Sequence, residues 1–322
     1  MSKIDSPSLQ PKLLFKNKHF NTLYRYFKTD FDIPFQRKRI PTKDGDFLDL
    51  DISSVESDTA IVAVHGLEGS SNSSYIKTLA SHFNALKIDV VAMNLRSCSG
   101  ELNLKLASYH SGKTEDLEEV ITYALKKKNY KTIYLVGYSL GGNIVLKYMG
   151  EYADKIPKEV KKAVGISVPC DLKGSAMTIS RLGNSFYKYN FLKTLKEKAL
   201  LKLKQHANHQ LDVQKIKNAT TFKEFDDAFT APTNGFLDAV DYWNKSSCNN
   251  FLHLINKPSL LITALDDPFL SPSCYPFEIT KNNKNFHIIA PKFGGHVGFC
   301  EQFNMDSNLW LENQIKNFLL AQ

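Results

Sequence analysis

Short runs of β-branched and aliphatic residues, separated by stretches with helical spacing, constrain this chain more than any other feature. Such runs occupy Thr59 to Val64, Asp89 to Asn94, Thr132 to Val136 and Ala163 to Val168, and they return at Ser259 to Thr263 and Asn285 to Ala290. A strand buried on both faces reads as a near-continuous apolar run, whereas a strand with one wet face alternates. The stretches Ser73 to Leu86, Thr114 to Lys127 and Asn143 to Tyr152 read as helices, as does Asp306 to Leu320. Repetition of strand and helix predicts an α/β fold: a mostly parallel central sheet flanked by helices. Ahead of it, polar and apolar residues alternate from Gln36 to Ile52 on both sides of Lys43-Asp44-Gly45-Asp46, and Asp-Gly there predicts an antiparallel edge hairpin.

The β pattern stops after Val168. From Ser180 to Lys245 the chain is lysine-rich and helical in pattern, with aromatics at Phe186, Tyr187, Tyr189, Phe191, Phe222, Phe225, Phe229, Phe236, Tyr242 and Trp243. The core is thus expected in two parts, residues 1–168 and 257–322, around a helical lid insertion at 169–256. The aromatics have two readings: they line a pocket beneath the lid, or they fasten the insertion to the core.

At 322 residues, 43% hydrophobic and 23% charged, the composition is that of an ordinary globular protein with a sizeable core. A formal charge of +8 raises nucleic acid or an anionic surface as partners, but only five of the 41 basic residues are arginines. Lysine is the poorer bidentate reader of phosphate, so the excess is read as a solvated face, with no nucleic-acid partner. Five widely spaced cysteines form no Cys-x-x-Cys pair, which points to reduced thiols and away from a zinc site. The opening Met1-Ser2-Lys3-Ile4-Asp5 has no apolar signal core, and no run approaches the ~18–20 apolar residues of a membrane span. A cytoplasmic protein is expected, monomeric by default. The segment Leu13 to Phe27 mixes Phe, Tyr, Lys and Arg, so it reads either as a helix packed on the core or as a peripheral contact with an anionic lipid surface.

The chemistry centres on Gly137-Tyr138-Ser139-Leu140-Gly141, which follows the run at Ile133 to Val136 and precedes a helix. A Gly-x-Ser-x-Gly on a strand-turn-helix places the serine on a strained turn with its hydroxyl exposed, the nucleophile elbow of the α/β-hydrolase fold. Serine needs a base, normally a histidine oriented by a carboxylate, and this fold supplies them in the order Ser, Asp, His. Asp267 and His296 follow the last two strands and match that order. Asp266 competes with Asp267. The residue directly before Pro268 leaves the strand end toward the histidine, which favours Asp267; Asp266 would otherwise cap the turn. Oxyanion donors are expected from the Leu140 amide, directly after the serine, and from the Leu67 amide in His65-Gly66-Leu67-Glu68-Gly69. His65, at the end of a central strand, is a pocket candidate whose plainer role is to brace that loop. His110 is a second pocket candidate, and with Arg96 its plainer role is to tie down the loop from Arg96 to Gly112.

These residues resemble a branch of the α/β-hydrolase superfamily, the hydrolases related to plant embryogenesis-associated proteins and fungal medium-chain ethyl-ester synthase/esterases. The likeness runs through His65-Gly66-Leu67-Glu68-Gly69-Ser70, Asn94-Leu95-Arg96-Ser97-Cys98-Ser99-Gly100, Tyr109-His110-Ser111-Gly112, Asp266-Asp267-Pro268-Phe269 and Gly294-Gly295-His296-Val297-Gly298-Phe299, and includes Lys18-His19-Phe20-Asn21-Thr22-Leu23. It departs at Ser97, where the family usually has glycine, and at Asn21, where it more often has glutamine. The resemblance implies serine carboxylester hydrolysis of short- to medium-chain or lipid-like acyl esters, with no metal or organic cofactor. Two alternatives remain: an alcohol or lipid O-acyltransferase with the same triad, and a catalytically silent protein that keeps the fold.

Overall fold

The structure is a computed structural model and describes residues 8–28, 32–304 and 308–321. The expectations placed on Met1 to Asp5 and on Asp306 lie outside these residues. Eight strands form one sheet in the order β1-β2-β4-β3-β5-β6-β7-β8. The hairpin strands β1 (Gln36–Pro41) and β2 (Phe47–Ser53) are antiparallel, and β2 runs antiparallel to β4 (Asp89–Met93). Every other neighbouring pair is parallel, through β3 (Thr59–Val64), β5 (Thr132–Tyr138), β6 (Val160–Ile166), β7 (Ser259–Ile262) and β8 (Phe286–Ile289). The hairpin turns at Gly45, whose φ of 79° suits a residue without a Cβ.

Successive strand residues feed opposite faces, as the period of two requires. Val62, Val64 and Leu135 pack against α3 (Thr114–Lys127) and α4 (Leu140–Glu151), while Ile61, Ala63 and Val136 pack against α2 (Ser74–Ala85) and the final helix, Trp310–Leu320. Burying each of these valine, leucine and isoleucine side chains stabilises the fold by about 1.5–3 kcal/mol. Most boundaries shift by one or two residues, and the final helix begins only at Trp310; two larger shifts have a visible cause. Helix α4 begins at Leu140, three residues early, because the chain turns into it directly from Ser139. Strand β6 begins at Val160 because its first residue pairs with Ile133 of β5.

Between β6 and β7 the chain leaves the sheet. Helix α5 (Leu172–Ile179) is capped by Asp171, whose side chain accepts from the Gly174 amide. Helix α6 (Ser185–Gln205) and short helical segments up to Ala239–Ser246 follow, around their own core of Leu192, Phe222, Phe225 and Trp243. At the other end of the chain, α1 (Lys18–Phe27) packs inward through Asn21, Thr22 and Arg25 and leaves Tyr26 and Phe27 exposed. Among the described residues no helix is long and apolar enough to cross a membrane.

Candidate active site

Strand β5 delivers Ser139 at its C-terminal end, beside β3, where the strand order reverses direction and open α/β sheets form their crevice. Ser139 has φ 51° and ψ −118°, a strained conformation that costs about 1–3 kcal/mol and turns the chain from strand to helix within one residue. Main-chain contacts stabilise it. The Ser139 amide donates to the Ile166 carbonyl at 2.7 Å, and Gly141 lies so close to β3 that a Cβ there would sit 2.3 Å from the Val64 carbonyl oxygen. A Cβ on Gly137 would likewise meet the Gly141 carbonyl at 2.3 Å.

His296 lies across from this turn. Its Nε2 is 2.9 Å from Ser139 Oγ, and its Nδ1 is 2.8 Å from Asp267 Oδ2. The bond to the carboxylate holds the proton on Nδ1 and leaves Nε2 free to accept from the serine hydroxyl. The other Asp267 oxygen accepts from the Phe269 amide at 2.9 Å, which fixes the carboxylate. Of the two competing aspartates, Asp267 is the one that contacts the histidine. Asp266 instead accepts from the Gly295 amide at 2.9 Å and caps the turn that carries His296; burial raises its carboxyl above the usual range.

The His296 turn also depends on residues whose part sequence reasoning missed. The His296 amide donates to Thr22 Oγ1 at 2.8 Å, and Gly295 lies against α1 so tightly that a Cβ would be 2.4 Å from the Lys18 carbonyl oxygen. Asn21, fully buried, donates to the Phe15 and Cys300 carbonyls and accepts from the Cys300 amide. This accounts for an amide side chain at position 21. The only signal in the sequence was the N-terminal motif itself, which does not say what it touches.

The turn after β3 faces the serine. A Cβ on Gly66 would lie 3.2 Å from Ser139 Cβ. The Gly66 amide donates to the Tyr75 hydroxyl, the Glu68 amide to the Tyr109 hydroxyl and the Gly69 amide to the Gly66 carbonyl. The Leu67 amide, like that of Leu140, meets no protein acceptor among the described residues. Glu68 adopts φ 56° and accepts from Tyr109 (2.7 Å) and from Lys198 of helix α6 (2.8 Å). This is the one ion pair between 169–256 and the rest of the described chain. Glu68 entered the sequence reading only as part of a motif, and its pairing with Lys198 did not stand out because 130 positions separate them.

His65 requires a correction as a pocket candidate. It is buried behind the turn and does not line the cavity. Its Nε2 accepts from the Leu95 amide at 3.0 Å and its Nδ1 bonds the Gly66 carbonyl at 2.7 Å; burial lowers its pKa to about 4, so it is a neutral brace. Arg96 is also structural, forked onto Asp116 at 2.7 and 2.6 Å and reaching Asp44 at 2.8 Å.

His110 does line the cavity, edge-on to Phe236 and Tyr242, and burial lowers its pKa to about 3. The cavity measures about 840 Å³ and reaches Ser139, His296, Leu67 and Leu140. The insertion contributes Phe186, Tyr187, Phe191, Phe222, Phe225, Phe229, Tyr242 and Trp243 to its wall. Five of these, from Phe222 to Trp243, also belong to the insertion's own core, so lining and fastening are the same job there. Tyr189 and Phe236 are not in the wall.

A serine hydroxyl bonded to an oriented histidine, beside two unengaged amides and under an apolar cavity, has the parts needed for acyl transfer. Fold and site together define a serine hydrolase. The chain belongs to the alpha/beta hydrolase fold family, whose model matches residues 59–301. It is 32% identical to the "Putative esterase YheT" of Escherichia coli, over 95% of this chain and 91% of that one. It is 28% identical to the "Phospholipase ABHD3" of Bos taurus, over 93% and 75% of the two chains. The solved Pyrococcus furiosus esterase Pf2001 shares the fold, with a TM-score of 0.57 at 15% identity over 98% of this chain and 99% of that one.

Proposed function

We propose that this chain is a carboxylester hydrolase working through an acyl-enzyme on Ser139, acting on short- to medium-chain or lipid-like acyl esters. The observation that carries this reading is the continuous relay from Ser139 Oγ through His296 to Asp267, with contacts of 2.9 and 2.8 Å, at one wall of an apolar cavity. His296 Nε2 takes the hydroxyl proton as Ser139 attacks the ester carbonyl. Asp267 keeps the ring in the required tautomer and stabilises the imidazolium that forms. The Leu67 and Leu140 amides donate to the oxyanion, and His296 then protonates the leaving alcohol. Water, activated by the same imidazole, releases the acid. Residues 169–256 act as the lid over a core built from 1–168 and 257–322.

A fluorophosphonate probe should label the wild type at neutral pH and fail to label Ser139→Ala, whose esterase activity should fall about 10⁶-fold. A Ser139→Ala protein that keeps most of its activity would overturn the assignment. A p-nitrophenyl ester series then reads acyl chain length, and alcohol added in competition with water reads acyl transfer.

A further inference from the structure

One buried acid of the cavity wall takes no part in the relay. Asp226 lines the cavity, as do Phe222, Phe225 and Phe229, which flank it within one turn of chain, Trp243, which bonds to it, and Tyr242, whose hydroxyl feels its charge. It opens a single π-helical turn, Asp226–Thr230, a rare winding found often at functional sites. Its two protein donors are neutral: the Trp243 indole N–H, at 2.9 Å from Oδ2, and the Thr230 hydroxyl.

Among the described residues no lysine, arginine or histidine pairs with Asp226. Its charged neighbour in sequence is Asp227, a like charge, engaged by Lys223. The cavity's lysines on α6 are placed elsewhere: Lys198 is held by Glu68, Lys202 by the Asn103 and Lys105 carbonyls, and Lys193 is exposed. A buried carboxyl with its neutral donors in place lacks a positive charge, and buried charges are ordinarily paired. Aromatic faces attract cations through their quadrupoles, and a cage of rings is the usual receptor for alkylated ammonium groups.

We propose that Asp226 and the rings beside it form a subsite for an organic cation, so that the preferred ester carries an alkylated ammonium group. This inference rests on the proposed ester hydrolysis and names its substrate class. Burial lifts the Asp226 carboxyl to about 7, so the acid is held ready to ionise against an arriving cation.

Butyrylcholine and 3,3-dimethylbutyl butyrate have the same shape and differ by one nitrogen charge. At pH 8 the wild type should favour the choline ester at least tenfold in kcat/KM. Asp226→Asn keeps an acceptor for Trp243 and should cut the preference to within twofold, with the neutral ester still hydrolysed. Equal rates in the wild type, or a preference that survives Asp226→Asn, would overturn the subsite and leave the hydrolase reading intact. Should the variant fail to fold, inhibition of the wild type decides: choline should inhibit hydrolysis of the neutral ester and 3,3-dimethylbutanol should not, and equal inhibition overturns the proposal. Should neither ester turn over and no probe label Ser139, the hydrolase reading fails. Calorimetric binding of choline to the wild type then reads the subsite separately, and no binding overturns it.

Discussion

The turn that carries Ser139 and the turn that carries His296 meet across 2.9 Å, yet they are held by different means. The serine turn is fixed by main chain: an amide bonded to the end of β6, and glycines that allow β3, β5 and α4 to approach without a Cβ between them. The histidine turn begins after β8 has already ended at Ile289, and no sheet partner reaches it. Its amides are held mainly by side chains, Thr22 from α1 and Asp266 from the end of β7, together with Ser167, whose hydroxyl accepts from the Val297 amide at 2.9 Å, and only Gly295 makes a close main-chain approach, to α1. The nucleophile therefore inherits the rigidity of the sheet. The base relies on a set of polar contacts, each of which a single substitution can remove.

If the serine turn is held by main-chain approach, a single methyl group there should be the most damaging change. Gly141→Ala places a Cβ 2.3 Å from the Val64 oxygen and 2.4 Å from the His65 oxygen, and neither backbone can move without shifting β3. A loss of more than about 3 kcal/mol is expected, seen as a lowered thermal midpoint and loss of probe labelling at Ser139. A variant with native midpoint and activity would show that the glycine contacts do not hold the turn.

His65, behind the same turn, gives a second test through pH. Its ordinary pKa of 6.5 is lowered to about 4 by burial, so as the pH falls the unfolded chain takes up a proton that the folded chain refuses. Its contribution is complete above pH 6.5 and is lost as the pH falls through 4, by roughly 3 kcal/mol in all. His110, lowered to about 3, acts in the same direction. Denaturation midpoints at pH 7 and pH 4 should therefore differ less in His65→Gln than in the wild type. Equal pH dependence would place the cost elsewhere.

What could be read from the sequence follows the same division. The elbow was legible because strand, glycines, serine and helix are consecutive, and the apolar runs placed each strand to within a few residues. Asp266 and Asp267 could not be separated by spacing alone, since both leave β7 and only their side-chain directions differ. The contact of Thr22 with His296 spans 274 positions, and the role of Glu68 depends on a lysine that faces it only once the insertion folds back. His65 had two readings, pocket residue or brace of the loop, and its burial and two backbone partners decide for the brace. Contacts made by neighbours in sequence were thus readable, and of those made by the closing of the fold the pairing of Ser139 with His296 was readable from chain order while the supports of the two turns were not.

The smallest expected effect is the most specific to the histidine turn. Thr22→Val keeps the shape of the side chain and deletes one oxygen, leaving the His296 amide without its acceptor and the Lys18 carbonyl without the Thr22 donor. An unsatisfied buried amide costs about 1–3 kcal/mol, and the ring it positions should sample orientations that miss Ser139 Oγ. The expected outcome is a fall in kcat of about tenfold with KM within twofold, since valine keeps the shape that Thr22 gives the cavity wall. Thr22→Ser, which restores the hydroxyl, should recover the rate. A Thr22→Val enzyme that loses stability but keeps kcat would mean that the bonds to Asp267 and Ser139 hold the imidazole by themselves, and that α1 only shields the turn they have already formed.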